Sequence, residues 1–260
     1  AYLEELYGAS LYANVGKKGE NHIINLTLEI ANEKFLSDSE PLLEKGLKLL
    51  TEVLIHPNTD GEAFVKKEFD QEKRNLKQRI ESLYDDKMKY ASIRLVEEMC
   101  ETEPYGVEVN GSLDRLEGIS PASLYEYYKH ALETDHIDLY VIGDVEPGQV
   151  EQICASYLTL PKRGNREIVP AVRPEHGEVK EVKDVEDVTQ GKLNIGYRTG
   201  ITFGTQEYYA LQVFNGIFGG FSHSKLFTEV REKNSLAYYC ASRIESHKGL
   251  LMVMSGIQTD

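Results

Sequence analysis

The chain has 260 residues, a formal net charge of −14, and 28% charged against 41% hydrophobic residues, the balance of a globular protein able to bury one large core or two smaller ones. The acidic excess argues against a nucleic-acid partner, because phosphate contacts need clustered Lys and Arg. No apolar run is long enough for a membrane-spanning helix, so no membrane partner is expected, and no signal-peptide pattern opens the sequence. Cys100, Cys154 and Cys240 are scattered and form no C-x-x-C pair. They read as reduced, buried thiols of a cytoplasmic protein.

Ala1 to Leu6 reads like the interior of a helix, closed by Tyr7-Gly8-Ala9-Ser10. Leu11 to Val15 begins a strand, and Gly16-Lys17-Lys18-Gly19 has the composition of a turn. His22 to Ile30 alternates, with Ile24, Leu26, Leu28 and Ile30 on one face and Asn25, Thr27 and Glu29 on the other, the pattern of a half-buried strand. Ser39 and Pro41 start a helix that His56-Pro57 ends. A long charged helical region runs from Gly61 to about Cys100 with a break near Tyr84-Asp85-Asp86. Pro104-Tyr105-Gly106 and Asn110-Gly111 mark a loop, and Ser120-Pro121 opens a helix to Leu132 with a good cap and a proline at its first position.

Ile137 to Val145 reads as a strand ended by Gly143-Asp144, and Pro147 to Tyr157 as a helix. Pro161 to Glu186 is rich in prolines and charges and poor in apolar periodicity. A first domain over 1–165, a linker over 166–186 and the start of a second domain over 187–260 follow from that change. Lys192 to Arg198 is a strand, Glu207 to Phe218 an apolar helix, and Leu250 to Ile257 a strand still running near the end. Both ends thus read as interiors, which predicts a piece of a longer polypeptide. Strands and helices alternate unevenly with β-hairpins, so the fold class is α+β.

The stretch from Gly219 to Tyr239 is the most informative. Ser222 is the expected cap, and Leu226, Phe227 and Val230 form an apolar stripe on the helix that follows. Arg231 near the helix end and Tyr238 entering a strand put a fixed cation and a phenol on neighbouring elements able to face one cleft. A guanidinium grips a peptide carbonyl or carboxylate, and a phenol donates to a developing oxyanion. Without further support such a charged helix reads as a solvated face leading into a packed strand.

The run Gly219-Gly220, Ser224-x-Leu226-Phe227, Val230-Arg231-Glu232-Lys233, Leu236-Ala237-Tyr238 resembles the second-half signature of the pitrilysin/insulinase zinc peptidases, the inverzincins, in their bacterial processing-peptidase-like branch. The resemblance implies two pseudo-repeated halves, each an antiparallel sheet flanked by helices and only partly present in this chain. It implies that Arg231 and Tyr238 hold a peptide substrate at a zinc site carried by the other half. Gly8-Ala9-Ser10-Leu11 would match the family's glycine-serine turn, Pro57 to Asp86 the loop and helix with the distal zinc ligand, and Ile137 to Val145 the strand before a short glycine turn.

The family binds zinc through H-x-x-E-H and a later glutamate, leaving one position for water and a general base beside it. None of the seven histidines forms H-x-x-E-H or H-E-x-x-H, and each reads as a surface or packing residue. On the later helix Glu72 occupies the family's first, supporting glutamate, and the ligand position seven residues on holds Arg79. A guanidinium has no lone pair to offer and repels a dication. Glu81 is a poor substitute, since two positions turn a side chain through about 200°. The chain is therefore expected to be an inactive, zinc-less member that supplies Arg231 and Tyr238 in trans to zinc in a partner, a paralogous subunit or a second copy. An active zinc peptidase with its H-x-x-E-H motif upstream and a non-catalytic scaffold of the same fold are the alternatives.

Overall fold

Tyr7 and Gly8 both take left-handed backbone, φ 58° and 74°, and so end the first helix as their sequence suggests. The computed structural model describes residues 2–37, 40–161, 163 and 178–258. In chain order the elements are α1 (Tyr2–Glu5), β1 (Ser10–Lys18), β2 (Asn21–Glu29), α2 (Leu42–Ile55), α3 (Lys66–Asp85), α4 (Lys87–Met99), α5 (Leu113–Glu117), α6 (Pro121–Thr134), α7 (Pro147–Tyr157), β3 (Gly191–Arg198), α8 (Tyr208–Asn215), α9 (Leu226–Lys233, wound as a π-helix), β4 (Ala237–Glu245) and β5 (Leu250–Ile257). This is the expected α+β content. Backbone packing divides the chain into two units: Ala1–Val15, Ile24–Asn75 and Asp114–Val169 in one, Gly16–Ile23, Leu76–Leu113 and Pro170–Asp260 in the other. Of the expected linker 166–186, residues 166–177 lie outside the described residues.

In the first unit Leu6, Ala9 and Leu42 form a buried core against which Leu28, Ile30 and Leu49 pack. Gly46 of α2 lets that helix approach β2 closely, since a Cβ there would meet Ile30 Cδ1 at 3.0 Å. The alternation read over 22–30 holds only from Leu26 onward, because Ile24 is 74% exposed. Ser39, expected to open α2, is outside the described residues, and Pro41 precedes the helix without a side-chain cap. Tyr157 on α7 donates to Glu44 of α2 at 2.7 Å. Ser120 and Ser123 cap α6 reciprocally, as Ser120-Pro121 promised. Phe64 lies edge-on to Tyr125 and Tyr128.

The stretch 137–145 corrects the sequence reading. It forms no strand: Tyr140 is 79% and Ile142 95% exposed. Alternating apolar side chains make a strand only when a neighbouring strand takes up the backbone N–H and C=O groups, and no such ladder forms there among the described residues.

In the second unit, α3 and α4 break at Asp86, whose Oδ1 accepts from the backbone N–H groups of Met88 and Lys89 at 3.2 and 3.1 Å. A three-stranded sheet runs in the order β3-β5-β4, with β5 antiparallel to both neighbours. Leu250 to Val253 on central β5 are buried. Met99 of α4 fills the space left by Gly196 on β3, where a Cβ would sit 1.8 Å from its sulfur. Cys100, Tyr105 and Leu250 make the core on that side, with Val96. On the other face Ala237, Cys240 and Val253 pack with Phe218, Leu226 and Val230. Cys100 and Cys240 are buried, Cys154 is half-buried, and all three are free thiols.

The hairpin tip is tied to the same unit. The turn falls at Gly19-Glu20, later than Gly16–Gly19 suggests, because Gly16 to Lys18 stay extended. Lys17 Nζ then donates to the carbonyls of Tyr105 and Val107, both at 2.7 Å. Beyond the turn, Glu20 pairs with Lys248, Lys248 with Glu103, and Glu103 with Arg198. The Lys248, Glu20 and Glu103 side chains are only 3%, 6% and 1% exposed. Glu20 also accepts from the Tyr105 N–H at 3.2 Å, and Arg198 donates to the Met99 carbonyl. Burial pushes the Glu103 carboxyl up, but hydrogen bonds from Arg198 and Lys248 outweigh it and hold it below its ordinary value of 4.5. Burial pushes the Lys248 amine down, and the Glu103 and Glu20 hydrogen bonds more than reverse that.

Removing one partner of a buried pair leaves the others uncompensated, so Lys248→Met is expected to destabilise the protein by roughly 3–5 kcal/mol in chemical denaturation. Because Glu103 is depressed in the folded state, its contribution is present above the unfolded value and disappears as pH falls through the lower folded one. Glu103→Gln should therefore flatten the loss of stability on acidification below about pH 4.5, measured by thermal melts across an acid series. By contrast Ile142→Asp, at a site 95% exposed, should shift stability by no more than about 0.5 kcal/mol. It should also lower the binding of a hydrophobic dye to the 260-residue chain, read by dye fluorescence beside the same melts.

Candidate functional site

The signature stretch is built as a close stack of helix on strand. After α8 the chain continues as a wider π-helical turn over Gly216–Gly220. A Cβ at Gly219 would lie 2.5 Å from Ser242 Oγ and 2.7 Å from Leu226 Cδ1, so this position needs glycine for the helix to reach β4. Ser242 Oγ donates to Asn215 Oδ1 at 2.7 Å and locks the contact. The serine that caps α9 is Ser224, correcting the expectation of Ser222. Its fully buried hydroxyl accepts from the Phe227 N–H at 3.4 Å, and its carbonyl accepts from the Thr228 N–H at 2.9 Å. Ser222 lies in the turn before it.

Leu226 and Val230 face the sheet, as the stripe predicts, whereas Phe227 turns its ring to Arg231, whose guanidinium carbon lies 4.6 Å from the ring centre. Glu232 Oε1 stands 4.0 Å from Arg231 Nε, and both side chains are about half exposed. The helix ends on Ser235, a non-glycine residue at φ 51°, with the Leu236 N–H reaching back to the Val230 carbonyl at 2.9 Å. That bond, which spans six residues in keeping with the π-helical turns before it, and the left-handed Ser235 turn the chain sharply into β4.

At the start of β4 the register with β5 slips: Ala237 pairs with Ile257, Tyr239 with Gly256, and Tyr238 has no partner of its own. Ala237 and Cys240 share one apolar cluster although they are three residues apart. Straight alternation places such residues on opposite faces, so an extra residue is required between them. Tyr238 is that residue, and it projects outward at 65% exposure. Behind it the Tyr239 ring lies across Gly256, where a Cβ would meet its Cε1 at 2.5 Å. The structure thus puts Arg231 and Tyr238 on two packed elements joined by one tight turn.

Glu72 and Arg79 lie two turns apart on α3, both exposed. Glu72 Oε1 accepts from Asn75 Nδ2 at 3.2 Å. The position that the resemblance gives to the zinc ligand presents the guanidinium of Arg79, which does not fit a zinc ion. Among the described residues no group of three or more His, Cys, Asp or Glu is placed to hold a metal ion. His22, His56, His130, His136, His223 and His247 are all exposed, and His176 is outside the described residues. No described helix is long and apolar enough to cross a membrane.

Sequence reasoning missed three features of this surface: the bulge, the Ser224 cap and the ring under Arg231. The i,i+4 spacing of Phe227 and Arg231 signalled the last.

The profile of the peptidase M16 inactive domain matches residues 118–260. The chain is 56% identical over 258 residues to "Probable inactive metalloprotease YmfF" of Bacillus subtilis, covering 99% of this chain and 61% of that protein. It is 24% identical over 270 residues to the "Antilisterial bacteriocin subtilosin biosynthesis protein AlbE" of the same species, covering 95% of this chain and 65% of that one. A crystal structure of a conserved protein from Enterococcus faecalis superposes with a TM-score of 0.90 at 38% identity, over 98% of this chain and 60% of the other. The chain thus spans roughly three-fifths of the length of these relatives. The signature around Arg231 and Tyr238 lies inside the matched region, and the chain belongs to the peptidase M16 family, as a relative of its inactive metalloproteases.

Proposed function

We propose that this M16 homologue holds no catalytic zinc and uses Arg231 and Tyr238 to bind a peptide for hydrolysis at a zinc carried by a partner chain in the cytoplasm, a zinc-bearing paralogue or a second copy. One observation carries the reading: Tyr238 is the extra residue of a bulge that presents its phenol outward. The reading takes Arg79 on α3 as the family's zinc-ligand position, as the resemblance implies. Bulges of this kind re-aim side chains beside active sites. A peptide as substrate suits the family and also suits the relative named for bacteriocin biosynthesis. Arg231 would grip a backbone carbonyl or carboxylate of the bound peptide. Tyr238 would donate from its hydroxyl to the oxygen on which negative charge grows as the carbonyl is attacked.

The measurement is peptide hydrolysis by the full-length protein and its candidate zinc-bearing partner, separately and mixed. Tyr238→Phe should lower turnover of the mixture by roughly 100-fold or more, the scale for losing one oxyanion donor, with both subunits' melting temperatures unchanged. Arg231→Ala should raise KM more than it lowers kcat, since it removes binding common to ground and transition states. Hydrolysis at the wild-type rate by Tyr238→Phe sinks the role given to the phenol, and full activity without a partner sinks the two-chain reading. Metal analysis of the purified full-length protein should find far less than stoichiometric zinc. Stoichiometric zinc lost on Glu72→Gln would instead place a metal centre on α3.

A further inference from the structure

The geometry points to Phe227 as a positioning residue that pre-orients Arg231 for a planar acceptor, an inference that rests on the substrate-binding reading above. Phe227 is half-buried, and its backbone N–H donates to the buried Ser224 hydroxyl, which anchors this turn of the helix beneath the ring. The guanidinium carbon of Arg231 stands 4.6 Å from that ring's centre. A guanidinium packed over a ring is attracted by the ring's π face, a contact that uses none of its N–H donors as hydrogen bonds to a polar acceptor. Those donors match the two lone-pair directions of a carboxylate or of a peptide carbonyl. Glu232 touches the guanidinium only at Nε and at 4.0 Å, so the terminal N–H groups are left to a ligand.

An arginine on an exposed helix otherwise loses rotamer freedom each time it binds, and a side chain already held by a ring loses less. The i,i+4 spacing places the ring and the cation on one face of α9. Leu226 and Val230 on the other side supply the packing against the sheet. The aromatic ring at 227 therefore acts on the ligand through Arg231, and the class of ligand it selects is a peptide presenting a carbonyl or carboxylate in the plane of the guanidinium.

The test is a double-mutant cycle in the full-length protein mixed with its zinc-bearing partner, with hydrolysis of one fluorogenic peptide as readout. Phe227→Leu should raise KM roughly 2–5-fold with kcat unchanged, the range of one partly exposed cation–π contact. Phe227→Tyr, which keeps a ring, should restore the wild-type KM. Phe227→Leu combined with Arg231→Ala should be no worse than Arg231→Ala alone, because the ring works only through the cation. A second readout needs no partner: the Arg231 Nε–H resonance should carry a ring-current shift that disappears in Phe227→Leu and persists in Phe227→Tyr. If Arg231→Ala raises KM while Phe227→Leu does not, or if the two effects add, the inference about Phe227 falls and the substrate-binding reading stands. An unshifted Nε–H resonance in the wild type also overturns the inference alone. A wild-type KM for Arg231→Ala overturns the substrate-binding reading and carries this inference down with it.

Discussion

Four alternating charges, Glu20, Lys248, Glu103 and Arg198, close one end of the three-stranded sheet. Three are almost wholly buried, so each depends on its neighbours for the hydration it has lost. Buried ion pairs add little net stability compared with a well-packed apolar core, and what they supply is geometry. Here the geometry is register. Arg198 and Glu245 both face Leu250 across the ladder, and Lys248 sits in the turn that leads into β5. A slip of one residue would carry Lys248 away from Glu20 and Glu103 and leave charges in the interior unpaired. With that end pinned, the ladder runs regularly to Tyr239 and Gly256.

The irregularity is thereby forced to the far end. Cys240 and Ala237 must both reach the apolar cluster under the π-helical turn at Phe218 and α9, and an odd spacing of three cannot do so in a straight strand. The extra residue is Tyr238, which is pushed out of the ladder rather than into the core. Gly219 serves the same contact from the other layer, since any side chain there would hold the helix off Ser242 and open the cluster. The glycines and small residues of the signature are thus packing requirements, while Arg231 and Tyr238 are what the packing displays. Between them the left-handed Ser235 makes the turn tight enough that no slack separates helix from strand.

Local chemistry made most elements legible. The helix break at Asp86, the Ser120-Pro121 start, the Pro147 to Tyr157 helix and the strand at Leu250 to Ile257 follow from caps, prolines and periodicity, all short-range effects. What was not legible depends on distant residues. Glu20 and Lys248 are far apart in sequence, and nothing near either one marks it as buried. The bulge at Tyr238 follows from the cluster spacing only once β5 is known to be the partner. The stretch 137–145 has a strand's composition, and composition says nothing of whether a neighbour takes its hydrogen bonds. Ser222 and Ser224 are both caps by residue type, and it is Ser224 that is buried and accepts from the Phe227 N–H. The family signature was readable because it concentrates several positions in one short segment, whereas the platform under Arg231 needed the side-chain geometry.

Exposure separates what folding requires from what it does not. Arg79 and Glu72 sit on the outer face of α3, where exchanging a carboxylate for a guanidinium costs the fold almost nothing. The same reasoning applies to Tyr238, whose ring is mostly in solvent, and to Arg231, whose side chain is 44% exposed. Neither hydroxyl nor guanidinium is needed to close the cluster beneath them, which Ala237, Cys240, Leu226 and Val230 complete. A solvated helix face accepts many residue types, and a bulge needs an extra residue but not a phenol. The fold accounts for the position of these two groups and not for their chemistry. What the fold displays is a planar cation over a ring on the helix and an outward phenol at the start of the strand that follows it.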